Sequence, residues 1–93
     1  MRTIEYTNQF KLDWKREQRG KYRKALREDF PVILQFLLED QPLPERCFDH
    51  ALAGKWSDHR DCHIKPDLVL IYRKPTHGIL QLVRLSSHAN LGF

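Results

Sequence analysis

The sequence predicts an α+β protein, with helices in its first half and an antiparallel sheet in its second. Three observations carry that prediction. Apolar residues from Phe10 to Leu37 recur at helical spacing among charged neighbours. The segment from His59 to Leu85 is divided by two turn signals, Pro66-Asp67 and Pro75 to Gly78, into runs of strand length. The opening stretch RTIEY alternates polar and apolar residues and adds a short strand before the helices.

Taken in order, the first strand covers Arg2 to Tyr6, and Thr7 is placed to cap the helix after it. Phe10 and Trp14, at i and i+4, give that helix its apolar side, and Gly20 ends it. A second helical period runs through Tyr22, Leu26, Phe30, Ile33, Phe36 and Leu37, with Lys21, Arg23, Lys24 and Arg27 on the exposed side. Pro31 either kinks this helix or sits in the first turn of one restarted at Asp29. The prolines of QPLPE stop the period, and RCFDHALAGKW reads as a long loop with one turn of structure. Three antiparallel strands follow, His59 to Lys65, Leu68 to Lys74 and Ile79 to Leu85.

Ninety-three residues with 41% hydrophobic content fit one domain spanning 1–93. The formal charge of +4 suits an anionic partner. MRTIEYTNQF has no apolar signal region, so a cytoplasmic setting with reduced Cys47 and Cys62 is expected. The run from Leu68 to Tyr72 is too short to cross a bilayer of roughly 30 Å, so no membrane partner is expected.

The chemistry concentrates around RDCHIKPDLVLIYR, residues 60 to 73. Alternation on a strand sends Cys62 and Ile64 to one face and Asp61 and His63 to the other. With Pro66-Asp67 as a two-residue turn, His63 pairs with Leu70 and Asp61 with Tyr72. Cys62 and Ile64 then join Val69 and Ile71 under the helices, and the opposite face presents Asp61, His63 and Tyr72. Parity places Cys62 in the core, away from any nucleophilic role.

His59 and His77 read as solvated turn and strand-end residues. His50, His63 and His88 come from three separate segments that folding can gather. Two imidazoles suffice to take the 2′-hydroxyl proton of RNA and return one to the departing 5′-oxygen, with Arg60, Lys65 or Arg84 steadying charge on phosphorus. Spacing alone leaves structural histidines equally open. A zinc site on Cys47, His50, His63 and Asp67 stays geometrically open as a minority reading but matches no known ligand spacing. With the scattered glycines offering no phosphate cradle, neither metal nor small-molecule cofactor is expected. Asp67 follows a proline and also fits ordinary turn chemistry.

LPERCFDHALAGKW, RDCHIKPDLVLIY and the closing SSHANLGF resemble the YafQ branch of the RelE/ParE superfamily of bacterial type II toxins. The shared pattern is Asp-His-x-Leu, Gly-x-Trp, an Arg-acid-x-His strand leading to Pro-Asp, and a terminal histidine. The resemblance implies a small RelE-like fold, an N-terminal strand and two helices on a twisted antiparallel sheet. It implies a ribosome-dependent mRNA interferase acting without metal, with a cognate antitoxin, ribosome and mRNA as partners. By the same resemblance His50, His63, Asp67 and His88 are catalytic and Asp61 is an acidic residue of that site. Phe93 corresponds to a terminal aromatic of the family, here displaced by Gly92, and is assigned to stacking on RNA. Two other readings use the same chain: a toxin of this fold that poisons gyrase by binding, and a basic RNA-binding module resting on Lys21 to Arg27.

Overall fold

The computed structural model describes residues 1–92, so the expectation placed on Phe93 lies outside the described residues. Strand β1 is Thr3–Tyr6 and helix α1 is Asn8–Gln18. Thr7 joins them as expected. Its hydroxyl accepts the Phe10 N–H at 3.0 Å and donates to the Val83 carbonyl at 2.8 Å, tying the helix start to a neighbouring strand.

The second helical period is two helices, α2 at Arg23–Glu28 and α3 at Phe30–Leu38. The restart takes place at Asp29, and Pro31 lies in the first turn of α3, where a missing N–H has no intrahelical acceptor to lose. Asp29 makes no side-chain cap; its carboxylate pairs instead with Lys65 at 3.0 Å.

The loop after α3 holds a short 3₁₀ turn at Glu45–Cys47, a two-residue strand β2 at His50–Ala51, and another 3₁₀ turn at Gly54–Trp56. Strands β3 (Arg60–Lys65), β4 (Leu68–Arg73) and β5 (Ile79–Ser86) form the expected meander, and a helical turn α4 (His88–Leu91) follows. The sheet order is β1-β5-β4-β3-β2. β1 runs parallel to β5, so the sheet is mixed at that edge, whereas β2 to β5 pair antiparallel.

The predicted register is off by one residue. Lys65 faces Leu68 across the turn, but a bulge between His63 and Lys65 makes His63 pair with Val69 and Asp61 with Ile71. Leu68, Leu70 and Tyr72 therefore join Cys62 and Ile64 in the main core beneath the helices, together with Phe10, Phe30, Ile33 and Leu80. Tyr72 is a core residue, correcting its expected place on the opposite face.

That opposite face is covered too. Val69 and Ile71 are fully buried under Leu91 of α4, with Leu52, Trp56 and Val83 packed around them. The C-terminal turn thus folds back over the sheet and carries His88 with it.

Candidate active site

β2 is the element that brings the first histidine to the sheet, since its antiparallel pairing sets His50 directly opposite Asp61. The Nδ1 of His50 lies 2.8 Å from the Phe48 carbonyl and 3.1 Å from Asp61 Oδ1. Both neighbours accept protons, so Nδ1 carries the hydrogen in the neutral ring and Nε2 is left as the free base.

His63 shares a face with Asp61, its Nε2 4.0 Å from Asp61 Oδ1. His88 arrives at the start of α4, whose cap is Ser87, with a hydroxyl accepting the Asn90 N–H. The His88 backbone N–H donates to Asp67 Oδ1 at 3.3 Å, and its ring Nδ1 lies 3.7 Å from the same oxygen. Asp67 thereby serves the turn and the histidine together. The rings of His63 and His88 are 4.9 Å apart, inclined at 60°.

Asp61 sits beneath this group at 1% exposure. Burial pushes its carboxyl above the usual carboxylate range, against the opposing pull of His50, His63 and His88. Burial also holds the His63 imidazole below its usual value, although Asp61 draws it upward. Burial thus favours the unprotonated ring, the form a general base requires.

The structure gathers His50, Asp61, His63, Asp67 and His88. The three predicted cations hold carboxylates elsewhere. Arg60 points to the other side of β3 and binds Asp49 through Nε and Nη2 at 3.2 and 3.3 Å. Lys65 pairs with Asp29, as described above. Arg84 binds the buried Asp13 at 2.8 Å. As for metal, Asp61, His63 and His88 each offer one ligand atom within 4.8 Å of the others, a grouping different from the cysteine-containing set considered from sequence. Cys47 and Cys62 are both buried thiols.

Two neighbours of the histidines escaped the sequence reading. Phe48 lies with its ring 4.9 Å from that of His50 and 5.9 Å from that of His63. Asp49 accepts the Tyr72 hydroxyl at 2.6 Å in addition to Arg60. The signal for Asp49 was the parity of Arg60 and Tyr72, which the correct register puts opposite one another on the core side.

Fold and site together define the class: a small α+β protein whose imidazoles and carboxylates form a centre suited to moving protons. The family model for the bacterial toxin of type II toxin-antitoxin systems, YafQ, matches residues 2–92. The chain belongs to the YafQ family. A putative toxin YafQ of Haemophilus influenzae is 39% identical over 92% of this chain and 87% of its own length. The mRNA interferase toxin YafQ of Escherichia coli K12 is 38% identical over 97% of this chain and 95% of its own. Among solved structures, YafQ from the E. coli strain BL21(DE3) superposes with a TM-score of 0.82 at 35% identity, covering 98% of each chain. An E. coli DinJ-YafQ complex gives 0.81 at 36% identity, again over 98% of each chain.

Proposed function

We propose that this chain is the toxin of a type II pair, a ribosome-dependent mRNA interferase that cuts message in the decoding site without metal. In this reading residues 1–93 form one toxin domain acting in the cytoplasm, where ribosomes and mRNA are found, and a cognate antitoxin neutralises it. The YafQ of E. coli bears the name mRNA interferase and has been crystallised with DinJ, which supports both the activity and the partner. The partner expected here is partly acidic, extended or helical, and folds in part as it covers the basic surface.

The chemistry assigned to the site is transesterification. His63 takes the proton from a ribose 2′-hydroxyl, and the oxygen attacks the adjacent phosphorus. The bond to the 5′-oxygen breaks, and His88 supplies the proton that leaves with it. A 2′,3′-cyclic phosphate and a 5′-hydroxyl result, so atoms and charge balance with no further reactant. In its doubly protonated form His50 donates its outer Nε2–H to a non-bridging oxygen, while Asp61 and Asp67 orient the rings. The observation that supports this assignment most directly is the 4.9 Å spacing of the His63 and His88 rings above one buried carboxylate.

The experiment compares wild type with His63→Ala and His88→Ala, expressed in cells and assayed on programmed ribosomes. Message 5′ ends should accumulate with wild type, and each variant should fold yet cleave about 10²- to 10⁴-fold more slowly. Undiminished cleavage in both variants would overturn the acid-base assignment. Growth arrest with DNA breaks and intact message would return the gyrase reading to the front.

A further inference from the structure

We infer that Phe48 is a substrate-contacting residue: its ring stacks on an unpaired base of the message next to the scissile phosphate and sets that nucleotide over the histidines. The inference rests on the ribonuclease reading given above and extends it to a specificity residue.

Phe48 is 65% exposed, an unusual state for a large aromatic side chain in a small protein. It is also held in the left-handed region, at φ 47°, where a bulky residue is costly and persists only if its surroundings enforce it. The enforcement is visible at the next residue. Asp49 is fastened by the buried Tyr72 hydroxyl and by two nitrogens of Arg60, which fixes the chain between the 3₁₀ turn at Glu45–Cys47 and β2. A strained backbone and a three-residue clamp thus keep an apolar ring in solvent.

Its position accounts for the arrangement. The ring edges both His50 and His63, and its backbone carbonyl accepts the His50 Nδ1 hydrogen. A base lying on Phe48 has its ribose and neighbouring phosphate on the side where the imidazoles stand. Stacking accepts any base, because every base has a π-face, and it raises affinity for single-stranded RNA. A purine, with the larger face, gains more than a pyrimidine.

Programmed ribosomes carrying a defined message with an empty decoding site give the test, using the full chain. Phe48→Leu keeps apolar volume without aromaticity, Phe48→Asn tolerates the left-handed backbone, and Phe48→Trp keeps a ring. Leu and Asn variants should raise KM about 5- to 100-fold with kcat changed by less than about threefold, and the Trp variant should remain near wild type. A message lacking one base beside the cleaved bond should lose the same factor with wild type and nothing further with Phe48→Asn. Two results overturn the inference with the nuclease reading intact: additive losses for protein and message changes, or a fall in kcat with KM unmoved, which marks a ring that only props the imidazoles. If wild type cleaves no message at all, the nuclease reading fails first and this inference falls with it.

Discussion

Asp61 Oδ1 lies 3.1 Å from Nδ1 of His50, across a residue pair of the two-residue strand β2, although the carboxylate belongs to the core and the imidazole to the surface. A buried acid thus carries the charge that a half-buried base feels. Burial raises the Asp61 carboxyl, so ionising it costs more in the folded protein than in the unfolded chain.

Asp61→Asn tests that relationship through two opposed effects. A folded pKa above the unfolded one means that the stabilising contribution exists below about pH 3.8 and is lost as pH rises through the folded value. At pH 7 the charge is therefore a cost, and the neutral amide should raise stability by about 1 kcal/mol, or roughly 4–8 °C in Tm at this size. Message cleavage should fall at least about tenfold, because the rings lose the anion that orients them. Thermal melting and single-turnover rates on ribosomes measure the two; a variant that is both less stable and fully active would refute the assignment.

What the sequence reveals here follows the range of the forces involved. Thr7, the strand limits after His59 and the opposite facing of Cys62 and His63 are local matters, set by capping, turn residues and period two, and the structure keeps them, the limits to within one residue. The bulge before Lys65 is not local. It shifts every pairing beyond it by one, taking Tyr72 from the predicted open face into the core. β2 has only two residues and no alternation to read, yet it places His50. Likewise nothing in SSHANLGF announces that α4 folds over Val69 and Ile71; Leu91 goes there because the sheet leaves apolar surface uncovered. The histidines could be named from sequence, whereas their convergence depended on three tertiary contacts.

The pH dependence of cleavage should report His63. Burial lowers its imidazole below 6.5, so the acid limb of kcat/KM should fall below pH 6.5. Asp61 opposes that shift, and Asp61→Asn should carry the limb to still lower pH. The same ring affects stability with a defined sign: folded His63 binds fewer protons than the unfolded chain, so stability declines as pH drops from 6.5 through the folded value. Rates and urea midpoints between about pH 5 and 8 provide both readouts. An acid limb above pH 6.5 in wild type would remove His63 from the role of base.

Stability should depend most on a carboxylate far from the histidines. Asp13 on α1 is fully buried and accepts Arg84 Nε at 2.8 Å, the Leu85 N–H at 2.9 Å, Arg16 Nη1 at 3.0 Å and the Gln9 amide at 3.2 Å. Burial alone would raise this acid, but the Arg84 bond and its companions outweigh it and hold the carboxyl below the usual range. Its contribution is consequently present above about pH 3.8 and lost as pH falls through the folded value. Arg16 extends the network, donating to the Leu85 carbonyl and to the Ser86 hydroxyl, two residues before His88. Asp13→Asn leaves Arg84 without its charge partner and should cost about 3 kcal/mol by urea unfolding at pH 7. Replacing the pair together, Asp13→Leu with Arg84→Met, should recover much of that loss, since no uncompensated charge remains. If the single and double variants are equally unstable, the network holds α1 to β5 by shape rather than by charge. Wild type should also lose stability more steeply than Asp13→Asn below pH 4, a difference that shape alone would not produce.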